Sequence, residues 1–394
     1  MPVRIILWCC ALSTVTAVLS CAQTVDLSTL VSFNEADGAY STAALVEGSD
    51  GNFYGTTYSG GVHDFGTVFK VTPLGMLIPL YSFSSSDGAN PYAGLLAAPD
   101  GSFYGTTYWG GANNLGTIFQ ITQDGSLTTT YTFSGSDGAN PFSGLILAAD
   151  GNLYGTTERG GTSAACRRGC GTVFRVTPQG SLTTLHSFRD TDGAYPQAGL
   201  LQTSDGSLYG TTFGGGKHKR GTFFQIATTG AWKTLHSFRG ADGTNPSGNL
   251  ALAANGTIYG TTYRGGAMDY GTVFQYATGA KVATLYAFRK EGQNPLGGVI
   301  QASDGNLYGA TYNSGSYGYG IIFKITPAGA FTFIAGLIGY YESYQGASCR
   351  SGLLEGSDGN LYGTTTAGGS YDHGVVFVLA TGFPSGSRFP VPSR

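Results

Sequence analysis

The stretch 133–157, FSGSDGANPFSGLILAADGNLYGTT, is written several times over in this chain with small changes, and its recurrence decides the fold. The tetrad YGTT begins at Tyr54, Tyr104, Tyr154, Tyr209 and Tyr259, returns as YGAT at Tyr308, and again as YGTT at Tyr362. Seven units spaced by 50, 50, 55, 50, 49 and 54 residues mark a solenoid or propeller array, in which each unit buries its apolar face only against a neighbour.

Each unit breaks into four short strand-like pieces, called A to D here. In the second unit they are AGLLAAP (93–99), SFYGTTYW (102–109), GTIFQIT (116–122) and LTTTYTF (127–133). Asp100-Gly101 separates A from B, a Gly-Gly loop separates B from C, and Asp124-Gly125 separates C from D. A two-residue hairpin needs positive φ, which Asp-Gly and Asn-Gly supply. Glycine reaches 65 of 394 residues and charged residues only 11%, against a usual share of about 25%, so the material is turn-rich β-strand. Four antiparallel strands per unit is the composition of a propeller blade.

The chain ends test closure. The last unit, 351–382, has A, B and C but no D, while LSTLVSF (27–33) matches the D pieces LTTLHSF and WKTLHSF and precedes the first A. The expected fold is therefore an all-β, seven-bladed β-propeller whose N-terminal strand completes the last blade, leaving no open edge. Within YGTT, alternation points the tyrosine and first threonine toward one neighbouring blade, the glycine and second threonine toward the other. The glycine is expected to let sheets approach closely.

The recurring DGNLYGTT…GG…GTVF…DGANP resembles the GloVer tandem repeat of bacterial exported proteins over nearly all of the chain. That resemblance implies export and a propeller-like repeat, and brings no catalytic residues with it. Residues 1–22 read independently as an export signal: Arg4, an apolar run from Ile5 to Leu12, and small residues at Ser20 and Ala22. Residues 23–381 form the propeller and 382–394 a flexible tail. The expected location is extracellular or periplasmic, with lipidation at Cys21 as an alternative and no transmembrane segment in the mature chain. An oxidising compartment favours a Cys166–Cys170 disulfide closing the loop CRRGC, and leaves Cys349 as a small buried hydrophobe.

Antiparallel order puts the B–C and D–A connections on one face and the tight DG turns on the other. The B–C loops vary most (WGGANNL, RGGTSAACRRGC, GGGKHKR, RGGAMDY), so that face is the expected binding face. Charge is polarised around the ring. Residues 23–158 carry a net −11 and residues 159–290 a net +9, within a total of −3. Arg159, Arg167, Arg168, Lys217, Lys219, Arg220, Arg239 and Arg264, with His218, Trp109 and Tyr263 beside them, form the candidate ligand-binding set. Clustered guanidinium and ammonium groups favour carboxylates, sulfates or phosphates. A solvated rim partly neutralised by Asp190, Asp192, Asp242, Asp269 and Glu291 is the competing reading.

The DGANP acids are expected to fold back onto their own backbone rather than bind calcium. No G-x-S-x-G elbow, P-loop or zinc signature occurs, so no catalytic residue, metal or cofactor is assigned. The expected function is an exported non-catalytic scaffold binding an anionic polysaccharide, a cell-surface glycan or a protein partner. A polysaccharide lyase or glycoside hydrolase is the alternative, with His218 or Tyr263 as base. Nucleic acid is excluded by the export signal and the negative balance.

Overall fold

The computed structural model describes residues 26–339 and 346–382. The export segment with Cys21, and all but the first residue of the 382–394 tail, lie outside the described residues. Every regular element among the described residues is a strand, and no helix there is long and apolar enough to cross a membrane.

The second blade shows the pattern. Leu96–Ala97, Phe103–Thr107, Thr117–Ile121 and Leu127–Thr132 pair antiparallel in chain order. At the A–B turn the Gly101 N–H donates to Ala98 O at 3.1 Å, and the Asp100 carboxylate accepts from the Ser102 amide at 2.9 Å. The B strand is buried at every residue, whereas D exposes Thr128 and Thr129, so D forms the rim. Seven such sheets form a ring, a seven-bladed β-propeller. The fifth gains an extra strand, Thr244–Pro246, on its B strand Ile258–Arg264.

The ring closes with the N-terminal strand. Asp26–Ser32 pairs antiparallel with Val375–Ala380, Leu27 opposite Leu379 and Ser32 opposite Val375. The apolar core is divided among seven seams. Tyr54, Val68 and Phe83 of the first blade pack with Leu95, Phe103 and Phe119 of the second, and Phe33, Tyr362 and Val376 of the seventh pack with Leu45, Phe53 and Phe69 of the first. At six of the seams the D-strand phenylalanine meets the next blade's C-strand phenylalanine edge to face. Phe83–Phe119 lies at 5.2 Å and the closing pair Phe33–Phe69 at 5.0 Å. The closing seam thus repeats the internal ones, each pair adding about 0.5–1.5 kcal/mol beyond area burial.

The tetrad's tyrosine and first threonine face the next blade as alternation predicts, while its glycine and second threonine do not face the other neighbour. Tyr54 packs on Phe103 at 4.3 Å and the Thr56 hydroxyl donates to Ala93 O at 2.9 Å, both in the next blade. The second threonine stays within its own blade, where Thr57 Oγ1 meets Thr67 Oγ1 at 2.9 Å and ties B to C. The glycine also serves its own blade: a Cβ at Gly55 would lie 2.6 Å from Phe69 Cζ, so the missing side chain makes room for the C-strand ring rather than for a neighbouring sheet.

In DGANP the acid accepts from its own loop. The Asp87 carboxylate takes the Ser84 amide at 3.0 Å and the Tyr81 hydroxyl at 2.5 Å. In the third and fourth blades' D strands, His186 and His236 replace that tyrosine and meet Asp192 and Asp242 at 3.1 and 2.9 Å. The asparagine is a staple between blades. Asn90 sits at φ +55°, a left-handed region that asparagine tolerates. Its amide N–H donates to Phe65 O at 2.7 Å and its side chain to Tyr58 O at 2.9 Å, both in the preceding blade.

Candidate functional site

The D–A and B–C loops of each blade are tied to one another on a single face. Ala89 and Trp109 exchange backbone hydrogen bonds at 2.8 and 2.9 Å, and the Gly111 N–H reaches Ser85 O at 2.8 Å. The same bridge joins Ala39 to Ser59, Ala139 to Arg159 and Ala194 to Gly214. These ties position two residues per blade on this face: the one following the proline position, and the one following YGTT.

The first of these, in all seven blades, and the second, in three of them, line an axial mouth of about 570 Å³, within the range of small-molecule sites. The residue after the proline position is Thr42, Tyr92, Phe142, Gln197, Ser247, Leu296 or Arg350 in successive blades, and all seven line the mouth. Tyr92 and Phe142 stack at 4.6 Å and 22°, backed by Tyr58 at 4.7 Å and Tyr108 at 5.3 Å from the Tyr92 ring. Phe213, Tyr263 and Tyr312 line the mouth from the fourth, fifth and sixth blades. Burial, then the neighbouring Tyr58, push the Tyr92 phenol up to about 12.

One carboxylate is buried at this face. Glu158 follows the third YGTT, where other blades place Tyr58, Tyr108 or Tyr263. It accepts from the Tyr108 hydroxyl and, at 3.2 Å, from the Gln197 side-chain amide. The Arg159 Nε lies 3.7 Å from it, and the Arg159 guanidinium sits over the Tyr195 ring at 5.7 Å. Arg350 is exposed and stacks on Tyr312 at 5.2 Å. It is close enough to Tyr92 to favour that phenol's ionised form, while Glu158 opposes it. Ser247 Oγ, also in the lining, finds no protein partner. Among the described residues no three of His, Cys, Asp or Glu gather as metal ligands.

The sequence signature of the Gloeobacter/Verrucomicrobia repeat matches residues 16–167 and 162–377. The chain belongs to that family. Among curated proteins none matches it in sequence. In solved structures the fold is similar to virginiamycin B lyase from Staphylococcus aureus, at 14% identity over 90% of this chain and 99% of that one, with a TM-score of 0.62. It is also similar to the extracellular domain of a protein described as a hybrid two-component system from B. thetaiotaomicron, at 14% identity over 87% of this chain and 40% of that one, TM-score 0.58. A third is a protein described as a 6-phosphogluconolactonase from Bacteroides uniformis, at 17% identity over 80% and 89%, TM-score 0.54.

In this Gloeobacter/Verrucomicrobia repeat protein the residues singled out from sequence occupy different parts of the loop face. Tyr263 lines the mouth and Arg159 stands beside it. Trp109 packs on Tyr108 at 5.0 Å, and Arg264 lies over Tyr263 at 5.5 Å. Arg167, Arg168, Lys217 and Arg239 are exposed in their loops and His218 is half-buried. Lys219 pairs with Asp190, and Arg220 donates to the Thr244 hydroxyl at 3.3 Å. Cys166 and Cys170 are joined by a disulfide, while Cys349 is free and fully buried. Sequence reasoning passed over Tyr92, Phe142, Gln197 and Arg350. Their signal was variation at one fixed place, the position after the proline, in an otherwise monotonous repeat.

Proposed function

We propose that this protein is an exported binding propeller whose axial mouth takes a segment of an anionic saccharide. One observation carries the reading: the stacked Tyr92–Phe142 pair shares a single mouth with Arg350, Gln197 and Asn249. An aromatic face covers the C–H face of a pyranose ring, amides meet its hydroxyls, and a guanidinium holds a carboxylate in a planar fork. Export fits the repeat family and the Cys166–Cys170 disulfide. The cations of the third to fifth blades then serve as an outer field that draws a polyanion toward the mouth.

The test is a glycan array on the full chain, followed by titration of the ligand found. Arg350→Ala and Tyr92→Ala are each expected to weaken binding about tenfold or more. Lys217→Ala/Arg220→Ala should lower mainly the association rate and its salt dependence. Binding indifferent to both mouth substitutions overturns the assignment.

An enzymatic reading draws on one feature, the buried Glu158 carboxylate beside the mouth, hydrogen-bonded to Tyr108 and to the lining residue Gln197, as acid and base groups are held in saccharide-cleaving sites. Virginiamycin B lyase and the 6-phosphogluconolactonase lend this chain only their fold. Depolymerisation of the bound glycan, abolished by Glu158→Gln, is the outcome that would favour it.

A further inference from the structure

Arg350 lines the axial mouth and Arg159 stands beside it, and their charges are in different states. Arg159 is committed to Glu158, with its guanidinium laid over Tyr195. Arg350, exposed and stacked on Tyr312, has no carboxylate partner among the described residues. The mouth therefore offers one uncompensated cation. On the side of the third and fourth blades, a neutralised pair lies next to the lining, bound to it through the Gln197 amide and held from behind by the Tyr108 hydroxyl.

That asymmetry fixes how charges can be spaced on a ligand. A carboxylate over Arg350 gains a bidentate partner. A second carboxylate on the adjoining sugar would arrive beside Glu158, whose buried charge already holds the Arg159 guanidinium. A neutral sugar there instead finds acceptor oxygens on Glu158 and a donor amide on Gln197. Like charges brought together across an interface are strongly disfavoured. We infer that Glu158 is a specificity-determining residue, and that the mouth selects saccharides in which an anionic residue alternates with a neutral one, rejecting polymers charged at every residue. The inference rests on the saccharide reading of this same mouth.

The test varies charge spacing on one backbone. Polygalacturonate carrying a free carboxylate on every residue, the same polymer half methyl-esterified, and the fully esterified form are titrated against the full-length protein, with hyaluronan as a naturally alternating polymer. The half-esterified form and hyaluronan are expected to bind most tightly. The fully charged form should be weaker because of Glu158, and the fully esterified form weaker because Arg350 loses its partner. Glu158→Gln releases Arg159 as a second anion site, so affinity for fully charged polygalacturonate should rise about tenfold relative to that for hyaluronan. A purely structural role for Glu158 would lower all affinities together.

The unsubstituted protein decides the matter even where the variant folds poorly. Affinity that climbs steadily with carboxylate density overturns the alternation while leaving the saccharide reading standing. Absence of binding to every polymer, hyaluronan included, overturns both.

Discussion

The Tyr108 hydroxyl donates to the Glu158 carboxylate across the seam between the second and third blades, joining the same position of two successive repeats. One repeat position thus does two things: as tyrosine it supplies an aromatic wall, and as glutamate it gives that wall an acceptor. Monotony builds the ring and single departures from it furnish the mouth.

Tyrosines held in this way make the protein sensitive to alkali. Burial first, and then a carboxylate partner, push the phenols of Tyr81 (Asp87), Tyr108 (Glu158), Tyr131 (Asp137) and Tyr154 (Asp150) up to about 12. In the unfolded chain they titrate near 10. A raised folded value means that this contribution to stability is fully present below about pH 10 and is lost as pH rises through about 12. Melting temperature should hold steady up to about pH 10 and fall steeply above it, with phenolate absorbance appearing together with unfolding. Phenolate absorbance that rises near pH 10 while the fold stays intact would contradict this account.

The seams differ in one hydrogen bond, and stability should register it. Thr56 and Thr364 donate to carbonyls of the next blade at 2.9 Å, whereas Thr211 and Thr261, at the same position of the fourth and fifth blades, find no partner. Removing a satisfied buried hydroxyl costs about 1–2 kcal/mol, and removing an unsatisfied one costs nothing or stabilises. Denaturant titration should therefore show Thr56→Val destabilised and Thr211→Val unchanged or improved. Equal losses would mean that Thr211 has a partner of its own, such as an ordered water.

The disulfide closes a loop of five residues, Cys166 to Cys170, in the third blade's B–C connection. A loop so short constrains the unfolded chain by only about 2 kcal/mol. Cys166→Ala/Cys170→Ala should lower stability by about that amount, and reductant should do the same to the unsubstituted protein. Cys349→Ala should leave the reductant effect intact, since Cys349 is buried and unpaired. A protein indifferent to reductant would contradict the pairing.

How much of this was legible in the sequence follows from how local each signal is. Asp100-Gly101 declares a turn, though the structure makes it a three-residue loop, 99–101, with Gly101 alone at positive φ rather than the two-residue hairpin expected. The alternation of Tyr104 and Thr106 declares its face, and both are settled within a few residues. The latch was legible too, since Leu27 to Phe33 reads as a D strand wherever it sits. The mouth was not. Tyr92 and Arg350 are far apart in the chain and meet only because the ring closes, so no window of sequence contains the site. The interior role of Gly55 was hidden for a similar reason: the ring that fills its missing Cβ is Phe69, on the partner strand, and strand alternation alone does not say which side chain will swing over it.

The latch itself supplies the severest test. Phe33 is fully buried and meets Phe69 edge to face, while Leu27 to Ser32 cover the outer edge of Val375–Ala380. Phe33→Ala removes a large core side chain at the closing seam and should cost about 3–5 kcal/mol, with the ring still closed. Deleting residues 26–33 does something different in kind, because it bares a buried apolar strand along its whole length and invites pairing with another chain. The truncated protein should self-associate, as light scattering would report, and a peptide of residues 26–34 added in trans should return it to the monomer by occupying the vacant edge. A truncated chain that stays monomeric and as stable as the full one would mean that the ring does not depend on its N-terminal strand.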